Sequence, residues 1–247
     1  MTGTHVNEEK LRNLKAEIEF LSTLLESAYI DYLFLRPVMT DVGLKNRMEK
    51  EGKLEGFNQI GEALYWWFIQ QLVKIWDDRD SQDRHVSIRK ILTSIADYRI
   101  VQELEERHAR WTRPHGELPD PETLNSIKKR EQQEQREEFR RRLDRVLSEG
   151  AALLGSEPLQ AYRRVRNKLI AHTEVHKGED RLKRYPIKKL RLKFGTEKDL
   201  LRNTIRIIQG LQYLICRVDF SWEDLRSLYE RDVAAFWEVA ELDDLCP

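Results

Sequence analysis

Apolar residues recur at intervals of three and four along most of the chain, which is the spacing of one face of an α-helix. The first stripe consists of Leu11, Leu14, Ile18, Leu21 and Leu25. A second helical pattern begins at Phe57, after a predicted loop near residues 43–56 that is bounded by glycines. The chain is therefore predicted to open with a pair of helices.

The second predicted helix is apolar on more than one side. One stripe contains Phe57, Ile60, Leu64, Phe68, Leu72 and Ile75, and a neighbouring stripe contains Trp66, Ile69, Val73 and Trp76. Such a helix needs burial on most of its surface, either at the centre of the core or between the core and a second subunit. Trp66, Trp67 and Trp76 are expected to pack in the core rather than to stack on nucleic-acid bases.

Start signals define the helices that follow. Residues 88–95 predict a short amphipathic helix that continues past a break toward Trp111. Asp120 and Pro121 are typical of an N-cap and a first helical position, and they predict a helix to about Leu147. Residues 128–138 of that helix contain no apolar side chain, which indicates either a solvated arm or an arm that contacts RNA or a partner.

Three further helices are predicted in the second half. Glycines at 150 and 155 break the chain before a helix that starts at residues 156–158, and Thr196 and Ser221 are candidate N-caps of two closing helices. The alternation over residues 190–194 is compatible with a short extended piece, but the predicted fold does not depend on it. The sequence thus predicts one all-α domain, a multi-helix bundle over residues 1–247, with its core over about 10–215 and an acidic C-terminal helix, 216–247, packing on it.

Composition and charge narrow the function. The chain has 247 residues, 40% of them hydrophobic, and only two cysteines, which fits a reducing cytoplasm. No signal peptide or membrane span is expected. The 43 basic residues balance 43 acidic ones, but the charge is segregated: residues 160–193 hold twelve Lys or Arg against three acids. This stretch is a candidate RNA-binding surface, unless the acidic C-terminal segment neutralises it.

The basic stretch contains Arg166-Asn167-Lys168-Leu169-Ile170-Ala171-His172, whereas phosphate-binding Gly-rich loops and His-Glu-x-x-His or Cys-x-x-Cys motifs are absent from the sequence. Two other stretches have a similar Arg-to-His spacing but are less suitable for binding an RNA phosphate. The stretch from Arg79 to His85 is acidic, and the stretch from Arg110 to His115 contains a proline. The motif at 166–172 combines an Arg that can hold phosphate oxygens with a His that can transfer protons near neutral pH.

This motif resembles the signature of the HEPN superfamily, and the order of the helices together with Ile75-Trp76-Asp77-Asp78-Arg79 is similar to its abortive-infection AbiU branch over residues 10–215. The resemblance implies a metal-independent endoribonuclease without cofactors, acting as a homodimer in phage defence or a toxin–antitoxin system with a possible cognate antitoxin. It implies catalytic roles for Arg166 and His172, with Asn167 as a polar helper. On an ideal helix residues six apart point about 240° apart, so the helix must unwind between Arg166 and His172 if they are to share a face.

Further residues are candidates for supporting roles. Lys168, Arg163 and Lys177 are predicted to bind substrate, and no metal site is expected. Asp77 and Asp78 either orient Arg166 or are surface acids at a helix end. His176 is either a second proton carrier or a solvated loop residue.

Two alternatives to the enzyme stay open. The chain can be a non-catalytic HEPN module that binds RNA or a partner protein, in which the Arg-His pair is unused. It can also be a helical scaffold without nucleic acid, because the net charge is zero.

Overall fold

The computed structural model describes residues 4–76, 85–110, 120–167, 175–177, 182–184 and 195–238. These ranges contain nine α-helices and one short hairpin. The helices are α1 Thr4–Thr40, α2 Val42–Lys50, α3 Leu54–Trp76, α4 Ile88–Ile95, α5 Tyr98–His108, α6 Pro121–Leu154, α7 Glu157–Val165, α8 Thr196–Cys216 and α9 Trp222–Trp237, and the hairpin strands are β1 Val175–Lys177 and β2 Leu182–Arg184.

The all-α fold class is confirmed, with the hairpin as a local exception. β1 and β2 pair in antiparallel register, with Val175 opposite Arg184 and Lys177 opposite Leu182. The sequence does not predict this hairpin, because neither strand is longer than three residues and no apolar alternation marks it. The extended piece considered at 190–194 lies outside the described residues.

The core forms where α1 packs along α3, and where α8 packs against α1 and α6. Both stripes of α3 contribute to it, since Phe68, Ile69, Leu72 and Trp76 are fully buried. The face of α3 that carries Ile60 and Trp67 is about half exposed. Burial on most sides, as predicted from the sequence, therefore describes the C-terminal half of α3 best.

Two boundaries differ from the sequence prediction. The predicted loop at 43–56 contains α2, whose N-cap Asp41 accepts a hydrogen bond from the Leu44 N–H. The helix α6 continues through Gly150 to Leu154. Gly150 does not break the helix, because it lies where α6 crosses α4: a Cβ there would come within 2.5 Å of Leu92 Cδ1.

Of the predicted N-caps Asp120, Thr196 and Ser221, two are correct, and the predicted start at 156–158 is confirmed by the N-cap Ser156 of α7. Asp120 accepts from the N–H groups of Glu122 and Thr123, and Ser221 accepts from the Asp224 N–H. Thr196, however, is the first helical residue of α8, and the N-cap is Gly195 with φ +94°. A left-handed backbone favours glycine, so Gly195 ends the incoming segment and begins the helix.

The polar stretch 128–138 of α6 is only partly solvated. Gln132 donates a hydrogen bond to the Ala109 carbonyl, and just beyond the stretch Arg140 pairs with Glu105 at 2.8 Å. One side of this stretch thus lies against α5 through polar contacts, while the other side is exposed. The solvated arm predicted from the sequence therefore describes one side of this stretch.

The C-terminal helix α9 packs on α1. Trp222 and Trp237 are buried, and the Trp237 indole N–H donates to the Phe34 carbonyl at 3.0 Å. Arg36 of α1 is buried and lies 3.7 Å from the Glu230 carboxylate. Residues 239–247, which hold the last acidic side chains, lie outside the described part of the chain.

None of the helices in the described ranges combines the length and the apolar character that crossing a bilayer requires.

The approach of α6 to α8 generates a prediction. A Cβ on Gly210 would lie 2.2 Å from Val146 Cγ2, whereas a Cβ on Gly56 of α3 meets nothing within 4 Å. We expect Gly210→Ala to lower the free energy of unfolding by about 1–3 kcal/mol because it overpacks the core. Gly56→Ala should raise it by about 0.5–1 kcal/mol through helix propensity. Urea denaturation measures both, and equal effects of the two substitutions would contradict the packing.

Candidate active site

The Arg-Asn pair of the motif lies at the end of α7, a short helix fixed at both ends. At its start, the Ser156 hydroxyl accepts a hydrogen bond from the Leu159 N–H. One face of the helix is fully buried through Leu159, Tyr162 and Val165, as the apolar stripe predicts. α7 packs against α3 and α8, so these two helices determine the position of the motif.

The last residue of α3 connects the three helices. The Trp76 indole is fully buried, and its N–H donates to Thr204 Oγ1 of α8 at 2.9 Å. The Trp76 carbonyl accepts a hydrogen bond from Arg163 Nη2 of α7 at 2.7 Å. One tryptophan therefore links the end of α3 to α8 through its side chain and to α7 through its backbone.

A second polar contact joins α7 to the start of α8. The buried Tyr162 hydroxyl donates to Glu197 Oε2 at 2.9 Å and lies 3.1 Å from Thr196 Oγ1. Burial raises the pKa of Tyr162 above its ordinary range, so the hydroxyl keeps its proton and remains a donor. Both carboxylate oxygens of Glu197 accept from the Gly195 N–H, at 2.9 and 2.8 Å.

Arg166 and Asn167 are brought together just beyond α7. Both residues are partly buried, and Nε and Nη2 of Arg166 donate to the single oxygen Oδ1 of Asn167, at 3.2 and 3.0 Å. The backbone at these two residues widens from α-helical to π-helical geometry. Such a turn is rare in proteins and frequently occurs at functional sites.

The helical phase places Arg166 on the face of α7 that contacts the C-terminal end of α3 and the N-terminal end of α8. It follows Tyr162 by four residues and Arg163 by three, so the three side chains share one face of the helix. Tyr162 and Arg163 on that face contact α8 and α3. The Arg166 guanidinium is therefore at the edge of the core, where it retains partial contact with solvent.

Arg163 is located differently from the predicted substrate-binding cation. Only 9% of the residue is exposed, and its guanidinium is used to bind the Trp76 carbonyl. In this position the Arg163 guanidinium holds α7 to the end of α3, and its contact with substrate stays a prediction. The exposed cation of the pair is Arg164, which the sequence analysis does not single out. Lys74, in the last turn of α3, is a second exposed cation, and it too is not singled out by the sequence.

The other predicted site residues fall outside what the structure describes. His172, Lys168, Asp77 and Asp78 lie in the ranges between the described segments. Lys177 and His176 belong to β1 by their backbone, and their side chains lie outside the described part. Asp77 and Asp78 directly follow Trp76 in the sequence, and Trp76 is the residue whose carbonyl accepts the Arg163 hydrogen bond.

One histidine has a purely structural environment. His108 is buried between the rings of Phe139 and Tyr213, and its Nε2 lies 3.0 Å from the Leu214 carbonyl. Burial lowers the pKa of His108, which favours the neutral ring with Nε2 as a donor. This residue fills the core and is not a proton carrier for substrate.

Metal ligands are not clustered in the described ranges: no three His, Cys, Asp or Glu side chains there come close enough together to hold a metal ion.

The contrast between the two neighbouring arginines is testable. Arg163→Met should lower the free energy of unfolding by about 1.5–3 kcal/mol, the usual contribution of a hydrogen bond to a charged group. Arg164→Met, at an exposed position on the same helix, should change it by no more than about 0.5 kcal/mol. Thermal or urea denaturation of the two variants measures the difference. A larger effect at Arg164 would contradict the orientation of α7.

The comparisons with known proteins identify the family. The family model HEPN_AbiU2, described as AbiU2, matches residues 11–236. The match extends past the predicted limit of 215 and includes all of α9 except its last residue. Neither the curated proteins nor the solved structures contain a significant match. Since the matched span covers most of the sequence and the fold is a helical bundle, the chain belongs to the AbiU2 family of HEPN proteins.

Proposed function

We propose that this protein is a metal-independent endoribonuclease that acts as a homodimer, with Arg166, Asn167 and His172 of each copy at a shared site. The observation that carries the proposal is the partly buried Arg166–Asn167 pair at a π-helical turn, within a chain of the AbiU2 family. The proposed setting is the cytoplasm, in phage defence or a toxin–antitoxin system with a cognate antitoxin.

The arrangement of Arg166 suits a phosphate ligand. Its guanidinium is held by Asn167 Oδ1 on the edge formed by Nε and Nη2, which fixes the plane of the group. Partial burial lowers the local dielectric, so attraction to developing negative charge is stronger than in bulk water. The Asn167 amide N–H groups are donors that suit a phosphate or ribose oxygen.

The proposed reaction uses the nucleophile that RNA itself carries. The ribose 2′-oxygen attacks the adjacent phosphorus while a neutral His172 takes the hydroxyl proton. The bond to the 5′-oxygen of the next nucleotide breaks, and this oxygen receives a proton from the protonated His172 of the second copy. The products are a 2′,3′-cyclic phosphate and a 5′-hydroxyl. Arg166 holds the non-bridging oxygens as charge accumulates on them.

Two copies supply what one copy lacks. A single motif offers one imidazole, whereas the reaction needs both a base and an acid. A twofold axis that brings two motifs together supplies two guanidiniums and two imidazoles around one phosphate, and an isologous interface permits such an arrangement.

The first test is RNA cleavage in the presence of EDTA. We expect the wild-type protein to cleave a structured RNA and to leave cyclic phosphate ends. His172→Ala should lose about 10²- to 10⁴-fold in rate, the usual contribution of a positioned proton carrier. Arg164→Met is the matched control and should retain the chemical step. Equal cleavage by the wild type and His172→Ala would reject this site.

The same preparations distinguish the alternatives. If RNA is bound but not cleaved, and binding weakens steeply as salt rises, the chain is a non-catalytic HEPN module. If RNA is not bound even at low salt, the helical scaffold remains.

The shared site also predicts the oligomeric state. Sedimentation velocity at micromolar concentration should show a species of twice the 29.5 kDa chain mass. The dimer should persist in His172→Ala, because the role proposed for His172 is proton transfer and not subunit association. A single 29.5 kDa species at every concentration tested would contradict a site built from two copies.

A further inference from the structure

A pair of buried polar side chains beneath the motif has no role in the reaction as proposed above. Tyr162 is fully buried and Glu197 is 1% exposed, and the hydroxyl of the first donates to the carboxylate of the second at 2.9 Å. The Tyr65 hydroxyl of α3 is a further hydrogen-bonding partner of Tyr162. We refer to Tyr162 and Glu197 together as the Tyr-Glu clasp.

The Tyr-Glu clasp is located at both ends of the segment that contains His172. Asn167 is the last described residue before His172 in the sequence, and it lies just beyond α7, about one turn after Tyr162. On the other side, the N–H of Gly195, the N-cap of α8, donates to both oxygens of Glu197. The hydrogen bond between Tyr162 and Glu197 therefore joins α7, at whose end Arg166 and Asn167 lie, to the first turn of α8.

Holding two helices together through a buried carboxylate costs free energy. A buried carboxylate is costly unless its lost hydration is replaced, and apolar side chains of similar volume often stabilise a core as well or better. Glu197 forms no ion pair within the described ranges, and its oxygens are satisfied by the Gly195 N–H and the Tyr162 hydroxyl. Directional contacts of this kind fix a register, which apolar packing does less well.

We infer that Tyr162 and Glu197 are positioning residues for the ribonuclease reaction, acting through the turn that carries Arg166 and Asn167. This inference rests on the proposed function. The two residues do not touch substrate, because Tyr162 is buried on the inner face of α7 and Glu197 is buried in the first turn of α8. Their role is to hold the Arg166 guanidinium and the Asn167 amide in the orientation that the reaction needs.

Steady-state cleavage of one defined RNA by Tyr162→Phe and Glu197→Gln tests the inference. Each substitution removes or weakens one directional contact and preserves volume. We expect kcat to fall about 10- to 100-fold, since a misplacement of about 1 Å costs on the order of 10²-fold. KM should change by less than about twofold, because no substrate contact is lost. The double variant should lose no more than the more severe single variant, since the two residues act as a unit.

Tyr29→Phe is the matched control. Tyr29 is a buried tyrosine of α1 whose ring lies against Trp222 of α9, away from α7. Removing its hydroxyl leaves the contacts between α7 and α8 intact, so its kcat should equal that of the wild type. All assays are run well below the unfolding transition of each variant, so that loss of folded protein does not contribute.

The outcomes separate the two proposals. If the wild type cleaves RNA, His172→Ala does not, and both clasp variants retain the wild-type kcat, the clasp has no positioning role and the ribonuclease assignment stands. If Tyr162→Phe and Tyr29→Phe lose activity equally, the effect is general destabilisation and the inference is wrong. If the wild type itself cleaves no RNA, both proposals fall. Should Tyr162→Phe not fold, Glu197→Gln provides the same comparison.

Discussion

The hydrogen bond from Arg163 to the Trp76 carbonyl is the interaction on which the placement of the motif depends. Trp76 is the last described residue of α3, and its carbonyl accepts a hydrogen bond from the buried Arg163 guanidinium. A cation is favourable near the C-terminal end of a helix because it meets the negative end of the helix dipole. The Trp76 indole extends the connection to Thr204, so α3, α7 and α8 meet at one residue.

This junction places the Arg166–Asn167 pair at its edge. Arg166 follows the buried face of α7 by one turn, so it is the first cation on that face to reach solvent, and Asn167 fixes the plane of its guanidinium. A helix that moved freely on the bundle would spread these donors over many orientations. Binding energy for a phosphate would then be spent on ordering the site instead of on the transition state.

The sequence predicts the framework better than it predicts the details of the site. Apolar spacing identifies the helices that form the core, and the Asp120 cap identifies the start of α6, because both signals are local. The roles of Arg163 and Arg164 are not local: the two residues are adjacent and chemically identical, and only the phase of α7 against α3 makes one buried and the other exposed. Gly150 is similar, since its role depends on the crossing with α4.

The central claim is that two copies of the motif converge on one phosphate. The most direct test is a crystal structure of the protein bound to an RNA whose 2′-hydroxyls are methylated, which removes the nucleophile and preserves the backbone. The account predicts one scissile phosphate within hydrogen-bonding distance of Arg166 from both copies, with both His172 imidazoles adjacent to it. Motifs tens of ångströms apart, each facing bulk solvent, would contradict it.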